Sequence, residues 1–272
     1  MDMSLYDLMK IKKRGFPEHK ARFYLHEVLK GLYHLHKMGL FHRDVKPENI
    51  LINLPKTHST LQYSFQERVK LADLGSIRGI YSKPPYTEYI STRWYRAPEC
   101  LLTKGYYGPK MDIWAAGCVF YELITLTPLF AGSNEIDQLA KIHAILGTPP
   151  VRVLNKFTNN RSQNFQNFPK QRGKGLNAVL ENLSDNAKNV LRLMLEYDPM
   201  KRVTLKRLLE HSYFGSLSRI NMRLSDKMSA PIGTKRKQQY SEEYIKDSRK
   251  RAIKSFSLCM HSVPKKIKVN SS

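Results

Sequence analysis

Three cysteines in 272 residues, Cys100, Cys118 and Cys259, are too few and too scattered for a disulfide framework or a Cys-x-x-Cys metal or redox pair. Such sparing use fits a reducing compartment. The N-terminus, Met1-Asp2-Met3-Ser4-Leu5-Tyr6-Asp7, places acids before the bases of Lys10 to Arg14 and holds no seven-residue apolar stretch, so no secretory signal is expected. Acids are scarce throughout: 23 Asp and Glu stand against 46 Lys and Arg, a net charge of +23. That balance favours polyanionic partners and says nothing of the fold. No repeat of solenoid period and no sustained heptad pattern occurs.

What is present builds a core. Hydrophobic residues make up 41% and charged residues 25%, a globular balance that can bury enough apolar surface to fold. Residues 113–132 carry one charge, Glu122, over about the length a bilayer span requires. With Glu122 mid-segment, Pro128 interrupting it and no interfacial aromatic pattern at the flanks, the stretch reads as a helix buried all round in a soluble domain, not a membrane span.

Helical periodicity dominates elsewhere. Between Pro17 and Gly39, Ala21, Tyr24, Leu25, Val28, Leu32 and Leu35 recur at three- and four-residue steps. Similar patterns predict helices over Asn134–Leu146, stopped by Gly147, over Ser184–Tyr197 with Ser184 as N-cap, and over Thr204–His211. Two short strands are expected, Asn49–Ile52 and Val69–Leu71, pairing across residues 53–68, a polar stretch too long for a tight turn. The folded part is therefore expected to be mainly α. Past Phe214 the composition changes: residues 216–272 hold 14 Lys or Arg and 4 Asp or Glu, net +10, and read as a basic disordered tail, which leaves +13 for residues 1–215.

The chemistry concentrates in His42-Arg43-Asp44-Val45-Lys46-Pro47-Glu48-Asn49, which opens just past the helix stop at Gly39 and resembles the protein-kinase catalytic loop residue for residue. Lys46, two residues after Asp44, is similar to the Ser/Thr class. Asp73-Leu74-Gly75 resembles the metal-binding Asp-Phe-Gly motif with Leu for Phe. Ala97-Pro98-Glu99 and Arg202 resemble a structural ion pair, and Asp112-Ile113-Trp114 the start of the central helix whose Asp caps the catalytic loop. Ser91-Thr92-Arg93-Trp94-Tyr95-Arg96-Ala97-Pro98-Glu99 looks like the CMGC group. Together with Met1-Asp2-Met3, Tyr81-Ser82-Lys83, Pro85 to Thr103 and Phe157, it identifies the chain as similar to the MAK-like branch of that group.

The resemblance implies a Ser/Thr protein kinase that transfers the γ-phosphoryl of Mg²⁺-bound ATP to protein Ser or Thr, with a preference for Pro after the acceptor that goes with Arg96. Asp44 is then the catalytic base, Lys46 the cation beside the phosphoryl, and Asn49 and Asp73 the Mg²⁺ ligands. Met1 aligns with the nucleotide hinge and Leu51 with the adenine floor, while Lys46 and Asp73 complete the ATP site. Thr87-Glu88-Tyr89 resembles a dual-phosphorylation switch; phosphate on Thr87 or Tyr89 adds about −1.5 to −2 charge and would order the loop against Arg43, Arg93 and Arg96. An upstream activating kinase is implied.

The fold implied is a kinase-like C-terminal lobe, helical with short β-hairpins, over residues 1–214, with 53–68 as an insertion and 129–182 as a CMGC-type insert. The 14 glycines include no Gly-x-Gly-x-x-Gly, and no Val-Ala-x-Lys strand precedes the catalytic loop, so an N-terminal β-rich lobe is expected to be absent and the chain alone nearly inactive. Two explanations stand: a fragment beginning at an internal Met, or a truncated, non-catalytic lobe that docks substrates or competes with a full kinase. In the 215–272 tail, Lys235-Arg236-Lys237, Arg249-Lys250-Arg251 and Pro264-Lys265-Lys266-Ile267-Lys268-Val269 are either importin-read clusters or simply solvated, giving a cytoplasmic or nuclear location or both. Direct nucleic-acid binding is not expected, because no aromatic platforms sit among the bases.

Overall fold

Ser4 and Asp7 start the first helix by capping each other. The Asp7 N–H donates to Ser4 Oγ (3.1 Å), while the Ser4 N–H donates to Asp7 Oδ2 (3.2 Å). In the computed structural model, which describes residues 1–54, 67–87, 92–160, 168–181 and 183–217, this cap joins strand β1 (Met3–Ser4) to helix α1 (Leu5–Lys10). Pro17 then leads into α2 (Glu18–Lys37), whose buried stripe includes Ala21, Tyr24, Leu25, Val28 and Leu32; Gly39, at φ +76°, turns the chain away.

Strands β2 (Leu40–Phe41), β3 (Ile50–Asn53), β4 (Arg68–Leu71) and β5 (Arg78–Gly79) follow. Among the described residues they make two small antiparallel sheets, one ordered β1-β3-β4 and one pairing β2 with β5. Ile50 stands opposite Leu71 and Ser4 opposite Leu51, so the two expected strands do pair, and β1 adds an edge that alternation could not reveal in two residues. The rest is helical: α3 (Pro98–Leu102), α4 (Lys110–Thr125), α5 (Glu135–Leu146), α6 (Val151–Leu154), α7 (Leu176–Val179), α8 (Asp185–Met194) and α9 (Leu205–Leu209). Ser184, Thr204 and Asn134 each accept a backbone N–H at the start of α8, α9 and α5.

Helix α4 is the centre of the molecule. Trp114, Ala116 and Phe120 are fully buried in it, and it packs against α2 on one side and α8 on the other. It ends at Leu126, which takes a left-handed conformation (φ +56°) before the interrupting Pro128. No helix among the described residues is long and apolar enough to cross a membrane. Gly117 lets α8 come close: a Cβ there would lie 3.1 Å from Leu195 Cδ2 and 3.2 Å from Met194 Cβ. A buried ion pair ties α3 to the turn before α9, with Arg202 donating to both carboxylate oxygens of Glu99 (2.7 and 2.9 Å) and its guanidinium 5.1 Å over the Trp114 ring.

Residues 129–182 carry α5, α6 and α7, with Leu139 and Ile142 of α5 fully buried. Most of the 53–68 insertion, Tyr89 and the chain from residue 218 onward lie outside the described residues. Met1–Ser218 forms one compact unit.

Candidate functional site

The His42–Asn49 loop runs from β2 to β3, and its shape is set by a carboxylate from far along the chain. Asp112, in the first turn of α4 and 1% exposed, accepts the N–H of His42 on Oδ2 and the N–H of Arg43 on Oδ1, each at 2.8 Å. His36 Nε2 lies 2.9 Å from the same Oδ2. Arg43 sits at φ +71°, a left-handed conformation that costs a non-glycine residue about 1 kcal/mol or more. The two hydrogen bonds to a buried carboxylate hold it there. His42 reaches the carbonyl of Ala72 (2.9 Å), tying the loop to the segment that carries Asp73.

Asp44 is buried, and its two oxygens differ. Oδ2 accepts from Asn49 Nδ2 and from Lys46 Nζ, both at 2.9 Å. Oδ1 is buried and has no hydrogen-bond partner among the described residues. A carboxylate oriented through one oxygen, with the other left unpartnered, is the arrangement a proton acceptor requires. Asn49 also donates Nδ2 to the Asp44 carbonyl (2.9 Å), so its amide is fixed with the nitrogen toward Asp44. Asp73 is exposed, at φ +57°, with Oδ1 accepting the Gly75 N–H at 3.3 Å.

Leu51 and Leu74 are the apolar residues of this neighbourhood that the core does not take. Along β3, Ile50 and Ile52 point inward, while Leu51 is half-buried on the other face; Leu74 is 50% exposed and Met1 52%.

The three loop arginines engage different neighbours. Arg43 donates Nε to the Ser76 carbonyl and Nη1 to the Tyr107 phenol (3.1 Å). Burial lowers the Arg43 pKa, against the pull of Tyr107. Arg93 instead donates to the Ser133 carbonyl (3.1 Å), and Arg96, 6% exposed, lies 3.5 Å from Glu135 at the start of α5. Thr87 is exposed, and its carbonyl accepts from the Tyr107 hydroxyl at 2.7 Å. Glu99 and Arg202 form the ion pair described above.

Tyr107 and His36 are the participants that sequence reasoning did not name. Tyr107 meets Arg43 of the loop across 64 residues and His36 meets Asp112 across 76, and no local spacing announces such contacts. Gly105 is a third. At φ +78° it lets the Tyr86 N–H reach the Gly105 carbonyl (2.8 Å), where a Cβ would fall 2.1 Å from the Tyr86 carbonyl oxygen.

Residues 1–214 match the family profile described as protein kinase domain. Over 214 residues the chain is 49% identical to the MAPK/MAK/MRK overlapping kinase of Homo sapiens and 48% identical to that of Mus musculus, covering 79% of this chain and 48% of each relative. It is 42% identical over 215 residues to the serine/threonine-protein kinase MAK of Rattus norvegicus, covering 79% of this chain and 33% of that one. The chain spans about half the length, or less, of these relatives.

Proposed function

The chain belongs to the protein kinase domain family, and from that premise we propose that it serves transfer of the γ-phosphoryl of Mg²⁺-bound ATP to Ser or Thr of protein substrates. The observation that carries the reading is Asp44, held through Oδ2 by Lys46 and Asn49 and without a hydrogen-bond partner at Oδ1 among the described residues. Oδ1 accepts the hydrogen bond of the substrate hydroxyl and then its proton, as the hydroxyl oxygen bonds to phosphorus and the bond to the ADP oxygen breaks. Lys46, 2.9 Å from Asp44, places a cation beside the phosphoryl in transit.

Asn49 and Asp73 suit Mg²⁺, because amide and carboxylate oxygens are hard donors. Mg²⁺ is commonly bound by one or two protein groups together with substrate phosphates. When bound, the ion supplies charge neutralisation on the phosphates. Met1 and half-buried Leu51 offer apolar contact for the nucleotide.

The finer reading is a proline-directed kinase of the MAK-like kind, with Thr87 and Tyr89 as activation sites phosphorylated by an upstream kinase. It is supported by the Thr-Glu-Tyr spacing, by the exposure of Thr87 and by Arg96 next to the Ala97-Pro98-Glu99 turn. We read residues 1–214 as hinge and C-terminal lobe. The transfer also needs a Gly-rich loop and a phosphate-binding lysine, and these 272 residues contain no Gly-x-Gly-x-x-Gly. The basic clusters past residue 234 support importin binding and a nuclear as well as cytoplasmic location.

The test joins residues 1–272 to the N-terminal lobe of the human relative and assays a Ser-Pro or Thr-Pro peptide with Mg-ATP. Turnover is expected, and Asp44→Asn is expected to lower it by about 10²–10⁴-fold without changing the melting temperature. Equal turnover in the variant would refute Asp44 as the base. Peptide binding without turnover in the parent would favour a docking role for the lobe.

A further inference from the structure

We propose that Tyr107 is a positioning residue whose phenol couples the main chain at Thr87 to Arg43 and so to the catalytic loop. The inference rests on the kinase reading of Asp44 and deepens it. A single hydroxyl does both jobs: it donates to the Thr87 carbonyl at 2.7 Å and accepts from Arg43 Nη1 at 3.1 Å. Arg43 is the neighbour of Asp44, is 3% exposed and is held at a left-handed φ, so displacement of its side chain bears on the backbone that carries the carboxylate. Its Nε is engaged by the Ser76 carbonyl, three residues past Asp73, so the same guanidinium also ties in the metal-binding turn.

The ring is anchored as well as the hydroxyl. Tyr107 packs at 5.3 Å from the Tyr86 ring and 6.5 Å, edge-on, from Phe41, and Phe41 packs at 5.6 Å from Tyr86. Phe41 immediately precedes the catalytic loop, and Tyr86 immediately precedes Thr87. The aromatic cluster therefore connects the same two segments that the phenol bridges. Burial pushes the phenol up to about 12 against the pull of Arg43, and like any tyrosine it keeps its hydroxyl proton at neutral pH. A phosphate added to exposed Thr87 would enter the surroundings of this bridge, and any shift of the Thr87 main chain reaches Arg43 through two hydrogen bonds.

A purely structural role would make Tyr107 one more buried aromatic. The two roles separate in Tyr107→Phe, which keeps the ring and deletes the bridge. Hydrogen–deuterium exchange of the full chain is expected to quicken roughly fivefold at the Tyr86 and Thr87 amides and at residues 42–45, the effect of one lost hydrogen bond, with α4 unchanged. Arg43→Lys, which removes the Nη1 donor and leaves the phenol in place, is expected to quicken exchange at Tyr86 and Thr87 as well. Unchanged exchange at either segment in Tyr107→Phe, or a rise spread evenly through α4, would overturn the proposal, as would an Arg43→Lys chain that leaves Thr87 as protected as before. In the joined enzyme, Tyr107→Phe is expected to lower kcat several-fold with the ATP KM unchanged. Exchange does not depend on turnover, so a chain without activity would sink the kinase reading and leave the coupling measurable.

Discussion

At the scale of single residues, the molecule keeps several ionisable groups in conditions that water would not give them. His143 in α5 is fully buried, with Nε2 3.1 Å from the Tyr197 hydroxyl, and burial lowers its pKa to about 4. Unfolded, the same imidazole titrates near 6.5. Above that pH both states are neutral, and the native state keeps its full stability. As pH falls from 6.5 to 4 the unfolded chain takes up a proton that the folded chain refuses, and roughly 3 kcal/mol is lost across the window. Glu122 acts in the opposite sense: burial raises its carboxyl pKa, against the Tyr95 hydrogen bond that lowers it, so its contribution falls as pH rises. The measure is therefore a comparison of variants. His143→Gln is expected to flatten the decline in urea midpoint between pH 7 and 4.5 relative to the parent, and a parallel decline in both would show that His143 is not its source.

The residues of the site were legible in unequal measure. Asp44, Lys46 and Asn49 fall within six consecutive positions, so sequence alone displays their spacing, and the loop brings them within hydrogen-bond reach of one another. Arg93 and Arg96 were legible as bases but not as to direction. Ser133 and Glu135, which they reach, come after α4 in the chain, and Arg93 points to a carbonyl that no charge pattern could announce.

At the scale of elements, legibility followed the strength of punctuation. Pro17 and Gly39 bracket α2, and Asn134 and Gly147 bracket α5, because a cap and a left-handed stop fix helix ends by local chemistry. The helix expected over Ser184–Tyr197 ends at Met194, since Leu195 leaves the helical region before the turn that presents Arg202. Strands β1, β2 and β5 are two residues each, too short to show a period of two, and they exist only because a partner strand is there to pair with. Helix α1 could have been read from Ser4-x-x-Asp7, a capping pair in plain view.

The contact of α4 with α8 carries its own prediction. Gly117 leaves no room beyond a hydrogen, so Gly117→Leu is expected to force the helices apart and cost about 1–3 kcal/mol in chemical unfolding. An unchanged midpoint would mean that α8 can shift without loss.

At the scale of the whole chain, the charge of +23 divides unevenly, with +10 in residues 216–272 and +13 in the remainder. The described core lies within Met1–Ser218. Charge and fold can therefore be separated by experiment. Replacing the lysines and arginines of residues 235–237 and 265–268 by Gln in a fluorescent fusion is expected to move the protein from nucleus to cytoplasm while the melting temperature stays within about 2 °C. A distribution that ignores the substitutions would leave the clusters as solvated charge.

The grip of Asp112 on the backbone of His42 and Arg43 spans 70 and 69 residues. A ribosome adding about 5–20 residues per second therefore releases the His42–Asn49 loop some 4–14 s before it releases the residue that shapes that loop. During that interval Arg43 lacks the contact that holds its left-handed turn, and α2 has no α4 to lie against. Arg202 arrives later still, 103 residues after Glu99. A nascent chain paused before Asp112 has therefore made its candidate base without the carboxylate that shapes the loop around it.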